Sequence, residues 1–445
     1  MKPIKNSDYL RENIPGHYFL EATIENVRCF GRKSTLKLSD AHGLPHHWTV
    51  ILGDNGAGKT TLLRSLISLA PSPKIVRDDS QNIRLYPGFF DWRERWDPRR
   101  HAGEEPSIIR GTIVAADGFK KLRKDSTQQL ELRHGHKAFD DIVHSSHEYE
   151  MLGDFLCFAY GASRKMGFSS LANEKFSTAS ISLFDDEAPL INVEEFFLQA
   201  DYEAKSTKSA GAAKQRDEVK KLILRVLPDV NDLRIVKSER AHGATRQVEM
   251  KTPYGWVRMR ELSLGYKSLI AWIVDFASRM YYYHRLRSNP FAQPAVVLID
   301  EIDLHLHPRW QRKILGHLSR VFPNTQFIVT AHSPLIVQTA MDWNLVLLKR
   351  QGDRVIINND PEAIASWRID QILTSDLFGL PSARSEKSEK IMQERRRLLA
   401  KETLNAKERS RLEKLDLLIG LLPVDQTPEY LAAKEILKKA KAAKR

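Results

Sequence analysis

Gly53-Asp54-Asn55-Gly56-Ala57-Gly58-Lys59-Thr60 decides how the rest of this chain is read. It fits the pattern G-x-x-x-x-G-K-[ST]. The preceding WTVIL (48–52) is a short apolar run of strand type, and the following TTLLRSLISLA (60–70) has helical spacing. Strand, glycine-rich turn and helix are the setting in which backbone N–H groups close around phosphates, with the positive helix N-terminus behind them. Candidate contacts are Asn55, Gly56, Ala57, Gly58, Lys59, Thr60 and Thr61. Lys59 would reach the outer phosphates, and the Thr60 hydroxyl would ligate Mg²⁺.

Upstream, YFLEATIENV (18–27) alternates as a strand, and STLKLS (34–39) can pair with it. Downstream, residues 71–110 are rich in Pro, Asp and Arg and read as an irregular insertion. GTIVAADGF (111–119) and LGDFLCFAYG (152–161) read as strands. Residues 193–205 and 212–227 read as two helices, within a helical lid-like insertion at about 185–230. Short polar strands follow over 232–259, then a long apolar helix at 268–286. PAVVLID (294–300) is a buried strand, RWQRKILGHLSRVF (309–322) a helix, and TQFIVTAH (325–332) and NLVLLKR (344–350) two more strands. This β-α-β succession predicts an α/β fold with a mainly parallel sheet under helical cover. The reading divides the chain into a head (1–350), a connecting segment (351–383) and a basic helical C-terminal region (384–445), with a terminal helix at 431–445.

Several further residues carry chemistry. The strand VVLI ends in Asp300 and Glu301. Asp300 can hold Mg²⁺ through water, and Glu301 can orient or deprotonate an attacking water. Ser263 and Gly265 in LSLGYKS precede the long apolar helix, and a serine there with a helix N-terminus makes a second phosphate-binding surface or an ordinary cap. His332 ends a parallel strand, where ligands bind such sheets. Asp303, His305 and His307 have metal-ligand spacing. The stretch Arg84–Arg100 interleaves aromatic and basic residues, as a nucleic-acid platform, a partner patch or an insertion packed on its own domain would.

GDNGAGKTT, ELSLGYKS, VVLIDEIDLHLHP and VTAHSP occur in the order Walker A, ABC signature, Walker B and H-loop. With these motifs the chain resembles ABC-type P-loop ATPases of the SMC/RecF/OLD group over residues 18–350. AYGASR (159–164) and QILTSDLFGL (371–380) are similar to stand-alone bacterial members, including the PtuA-like ATPases of Septu anti-phage defence. The resemblance implies ATP and Mg²⁺ as ligands, with Glu301 as base, His332 as phosphate sensor and Lys59 on the phosphates. It also implies a homodimer or higher homo-oligomer, in which Ser263 and Gly265 contact the other protomer's ATP. For the PtuA-like members it implies a separately encoded HNH nuclease as effector. The other readings are a DNA-repair or recombination clamp and an ATP-dependent scaffold. It places Asp303–His307 in a D-loop at the dimer interface. The turn after LCFAYG has no Q-loop glutamine; Arg164 there reads either as a phosphate or interface contact or as a surface salt bridge. Leu264 and Tyr266 stand where transporters often carry Gly and Gln, which argues against a transporter subunit.

Composition bounds these readings. The 445 residues are 42% hydrophobic and 28% charged, which excludes a wholly disordered chain. Cys29 and Cys157 are the two cysteines, too few for a disulfide framework. The opening MKPIKNSDYL lacks an apolar signal core, and no run approaches the ~20 apolar residues of a membrane span. A soluble cytoplasmic protein is expected, without membrane partners. The net charge is +13; residues 384–445 hold 17 basic and 10 acidic residues, hence +7 of it. The excess marks the tail as a solvated face, a surface for self-association or nuclease docking, or a nucleic-acid contact.

Overall fold

The computed structural model describes residues 16–77, 83–89, 96–99, 105–124, 126–134, 142–145, 155–167, 180–206, 210–227, 229–240, 243–284, 287–340, 343–361, 367–401 and 403–420. The chain divides into two units, residues 1–372 with 376–378, and residues 373–375 with 379–445.

The first unit is organised around a six-stranded sheet. Its strands run in the order β16 (Arg354–Asn358), β15 (Asn344–Gln351), β3 (Trp48–Gly53), β14 (Thr325–Thr330), β13 (Ala295–Ile299) and β9 (Cys157–Tyr160). All neighbours are parallel except the edge strand β16, which lies in the segment read from sequence as a connection. A central parallel strand must be apolar on both faces. Along β13, Val296 and Leu298 enter one core while Ala295, Val297 and Ile299 enter the other.

On one face lies α1 (Lys59–Leu69), whose Leu62, Leu63 and Leu66 are fully buried. Each such leucine contributes at most about 1.5–3 kcal/mol through area removed from water. The same core is closed by an antiparallel sheet, β2 (Ser34–Lys37), β1 (Gly16–Glu25), β6 (Ser107–Ala116), β7 (Gln128–His134) and β8 (Ile142–Ser145). The expected pairing of 18–27 with 34–39 is present as β1 against β2. Gln326 on β14 ties the two sheets together. Its Oε1 accepts from Phe19 N–H at 2.9 Å, and its Nε2 donates to Phe19 C=O at 2.9 Å.

The opposite core holds α5 (Leu264–Tyr283), backed by α3 (Val193–Ser206) and α4 (Ala210–Val226) and by a meander of β10 (Asp232–Arg240), β11 (Gly243–Thr252) and β12 (Gly255–Arg258). Trp48 stacks on Phe327 with ring centres 4.2 Å apart, and its Nε1 donates to Ser319 Oγ at 2.8 Å. Inside α5, Arg279 pairs with Asp275 at 2.7 Å, and Tyr160 Oη donates to the same carboxylate at 2.8 Å.

Two expectations need correction. Part of the stretch read as irregular is an antiparallel ribbon of β4 (Pro71–Arg77) and β5 (Ile83–Phe89). Its prolines at 71, 73 and 87 masked the strand signal, because proline is admitted only where no ladder N–H is needed. The helix read over 309–322 is two, α6 (Pro308–Gln311) and α7 (Ile314–Val321). The backbone breaks where Lys313 N–H bonds three residues back, to Trp310 C=O at 2.8 Å. Short helices α2 (Ile181–Phe184), α8 (Pro334–Thr339) and α9 (Ile369–Thr374) complete the connections.

The second unit contains an α-helical hairpin of α10 (Glu386–Leu399) and α11 (Ala406–Gly420). Arg411 pairs with Glu394 at 2.7 Å and Arg395 with Asp416 at 2.6 Å. Both pairs are exposed and stabilise little each. Leu399, Leu417 and Leu418 remain exposed. The terminal helix expected at 431–445 lies outside the described residues. Among the described residues no helix is long and apolar enough to cross a membrane.

Candidate functional site

The parallel strands β3, β14, β13 and β9 are neighbours, so the segments leaving their carboxyl ends meet in one place. β3 runs into the glycine-rich turn, which opens α1. Gly56 and Gly58 have φ of 77° and 83°, in the left-handed region that glycine enters without strain. A Cβ on Gly58 would also lie 2.4 Å from Cys29 Sγ, so that position is closed sterically as well. Lys59 is buried, and its ammonium donates to Gly53 C=O at 2.8 Å and Asp54 C=O at 3.0 Å. Burial lowers its pKa, while Asp300, Glu301, Asp54 and Asp303 oppose that shift.

β13 delivers Asp300, which is buried and doubly engaged. Thr60 Oγ1 donates to its Oδ2 at 2.5 Å, and Thr330 Oγ1 donates to its Oδ1 at 2.6 Å. Glu301 follows at φ 49°, with its N–H bonded to Thr330 Oγ1 at 2.7 Å. His332 leaves β14, and its backbone N–H donates to Asp303 at 3.1 Å. Burial raises the Asp303 pKa, partly offset by these hydrogen bonds.

A cavity of ≈ 400 Å³ joins these elements. Asn55, Gly56, Gly58, Lys59, Thr60 and Thr61 form its floor, and Glu301 and His332 one side. Arg28, Cys29, Arg64 and Trp96 form the remaining wall. Ala57 is buried beneath the turn. A hydroxyl and a carboxylate oxygen converging within 2.5 Å, beside a cationic lysine, fit a hard divalent ion carried with a phosphate chain. The pair Thr60 and Asp300 would hold Mg²⁺ there.

Ser263 and Gly265 do not reach this cavity. Ser263 is the exposed N-cap residue of α5 and makes no side-chain cap bond. Gly265 packs against the turn after β13, where an added Cβ would lie 2.3 Å from His305 C=O. Tyr266 stacks edge-on against Trp310 at 4.4 Å. Signature and D-loop are thus packed on each other within one chain. Asp303, His305 and His307 serve this turn: Asp303 receives His332 N–H, His305 adopts φ 62°, and His307 caps α6 through its Nδ1.

Sequence reasoning missed part of the wall. Arg64 follows Thr60 by one helical turn, a spacing that puts both on one face. Its Nε donates to Leu183 C=O at 2.9 Å, and its guanidinium lies 5.6 Å from the Phe184 ring centre. Trp96 is buried 6.2 Å from that ring, so the described end of the aromatic-basic stretch packs inward. The side chains of the rest of that stretch lie outside the described residues. Arg164 is neither a surface ion pair nor a cavity contact. It is 2% exposed, with its guanidinium on the carbonyls of Asp300 and Glu301.

Residues 123–338 match the family described as "AAA domain, putative AbiEii toxin, Type IV TA system". The chain is 26% identical over 384 residues to Septu protein PtuA of Bacillus mycoides (strain KBAB4), covering 82% of this chain and 46% of that protein. It is 26% identical over 379 residues to Septu protein PtuA of Bacillus thuringiensis, covering 80% and 83% respectively. The chain is thus similar to these two PtuA proteins over about four-fifths of its own length. It spans about half the length of the Bacillus mycoides relative. Among solved structures, an SMC head bound to the C-terminal winged-helix domain of ScpA is similar at 14% identity and a TM-score of 0.45, over 77% of this chain and 97% of that one.

Proposed function

We propose that this chain is an ABC-type ATPase of the SMC/RecF group that binds Mg-ATP, pairs head to tail with a second copy, and hydrolyses ATP in the two composite sites. The cycle would gate a separately encoded effector nuclease of HNH type in anti-phage defence. One observation carries the reading. Lys59, Thr60, Glu301 and His332 share one cavity, while Ser263 and Gly265 stand outside it on an exposed helix start. This separation supports a site completed by the Ser263 and Gly265 of a second copy. The names of the PtuA relatives support the defence context.

In this mechanism the glycine-turn N–H groups and Lys59 neutralise the outer phosphates, which is where charge grows as the terminal phosphoryl departs. Mg²⁺ at Thr60 and Asp300 would supply further charge compensation there. Glu301 faces the same space and accepts the proton of the attacking water. His332 donates to the terminal phosphate or orients the water. The partner's Ser263 hydroxyl and the N-terminus of its α5 would close the site over the phosphate.

Glu301→Gln tests this. It keeps shape and removes the proton acceptor, so turnover should fall by about 10²–10⁴. ATP should remain bound, and light scattering should report a stable dimer with Mg-ATP. A variant that stays monomeric and releases ATP as fast as an active wild type would refute the composite site. Strong stimulation of wild-type turnover by duplex DNA ends would favour the repair-clamp reading instead.

A further inference from the structure

Arg164 stands in the turn after β9, which holds no glutamine. Its surroundings are built for it. Gly161 lets the chain pass so close to α2 that an added Cβ would lie 2.0 Å from Ser182 C=O. Arg164 itself adopts φ 36°, in the left-handed region that bulky residues avoid. This conformation sends the side chain beneath the carboxylate turn. Nη1 donates to Asp300 C=O at 2.8 Å and Nη2 to Glu301 C=O at 2.8 Å. Nε reaches Ser268 Oγ at 3.4 Å, in the second turn of α5 behind the signature. Burial lowers its pKa to about 10, against the opposing pull of Asp300, Asp303 and Glu301, so it is cationic at neutral pH.

The peptide units around Glu301 are therefore gripped on both sides. Thr330 Oγ1 accepts its N–H, and Arg164 takes its C=O together with that of Asp300. Glu301 has φ 49°, a conformation that costs energy and persists only where neighbours enforce it. The direction of its side chain follows from that backbone.

We infer that Arg164 is a positioning residue for hydrolysis: its guanidinium fork fixes the left-handed turn that aims Glu301 into the cavity, and its Nε ties that turn to the signature helix. A lysine cannot replace it, because an ammonium is a point donor without the planar fork. The inference rests on the proposed hydrolysis but concerns an interaction outside the nucleotide cavity. Arg164 does not line that cavity, so ATP affinity is not its province.

The test compares Arg164→Lys, Glu301→Gln and the double variant in steady-state ATP hydrolysis by the full chain, corrected for folded fraction by thermal melting. Wild-type turnover that Glu301→Gln abolishes establishes the parent reading. Against that background Arg164→Lys should lower kcat about 100-fold, the cost of misplacing a reacting group by roughly 1 Å, with KM unchanged within threefold. The double variant should be no slower than Glu301→Gln alone, since both changes remove one function. If Arg164→Lys does not fold, Ser268→Ala removes only the weakest of the three bonds and should lower kcat about 2- to 10-fold with KM unchanged. Wild-type kcat in a folded Arg164→Lys or Ser268→Ala variant, a rise in KM with kcat intact, or full additivity with Glu301→Gln would overturn the inference alone. A wild-type chain that hydrolyses no ATP would overturn the parent reading and this inference with it.

Discussion

Gly265→Ala separates two reasons for a glycine in the signature. One is contact with the partner's nucleotide; the other is packing within the chain. The structure quantifies the second. An alanine Cβ would lie 2.3 Å from His305 C=O, whereas real Cβ atoms essentially never approach closer than 3.0 Å. The carbonyl or the helix start must therefore shift by at least 3.0 − 2.3 = 0.7 Å. His305 is already in the left-handed region at φ 62°, so the turn has little freedom to give. Overpacking of this kind costs about 1–3 kcal/mol. Alanine's better helix propensity offsets up to about 1 kcal/mol. The net loss of about 1–2 kcal/mol corresponds to a Tm lowered by roughly 2–4 °C in a domain this large. Calorimetry without nucleotide measures it, when no partner's ATP is present. Gly316→Ala is the control, because its Cβ would meet nothing within 4 Å inside α7 and should be neutral or stabilising. An unmoved apo Tm for Gly265→Ala, with ATP-dependent dimerisation lost, would refute the packing argument and leave only the contact in trans.

Two further outcomes are expected. Lys59→Ala removes the cation on the cavity floor, and calorimetric ATP titration should show affinity reduced at least 10-fold; unchanged affinity would contradict the phosphate site. Acid should destabilise the fold through His17 and His47, whose burial lowers each pKa from 6.5 to about 4. Their contribution is complete above pH 6.5, where folded and unfolded forms are both neutral. It is lost as pH falls from 6.5 to about 4, where only the unfolded chain takes up protons, and each can remove on the order of 1–3 kcal/mol. Denaturant melts of His47→Gln across this window should be flatter than wild type; an identical slope would place the acid sensitivity elsewhere.

What the sequence made legible was local. The phosphate turn carries its whole pattern in eight consecutive residues, and β13 declares itself because a strand apolar on both faces leaves an unbroken run. The resemblance also implied that Ser263 and Gly265 serve the other protomer's ATP, apart from this chain's own glycine turn. Contacts across long separations stayed hidden. Arg164 meets carbonyls 136 and 137 residues away, and a backbone carbonyl leaves no mark in the residue code. The wall residues Trp96 and Arg64 were obscured differently. Trp96 sits in a run whose charges suggested a surface, and Arg64 interrupts an otherwise apolar helix where an exposed arginine is the ordinary case.

The Gln326 amide has a consequence for motion. Presenting an acceptor and a donor to one residue, it acts toward Phe19 as another peptide unit would. The two sheets thus share a rung of ladder buried where water cannot replace it, besides the bond that Asn344 Nδ2 on β15 donates to Lys37 C=O on β2 at 2.8 Å. A slip of either sheet would strand both ends of that rung in an apolar interior. These bonds favour movement of the antiparallel sheet together with β14 and β15. The compliance of this unit would lie on the other side of the parallel sheet, among α3, α4 and the β10–β12 meander.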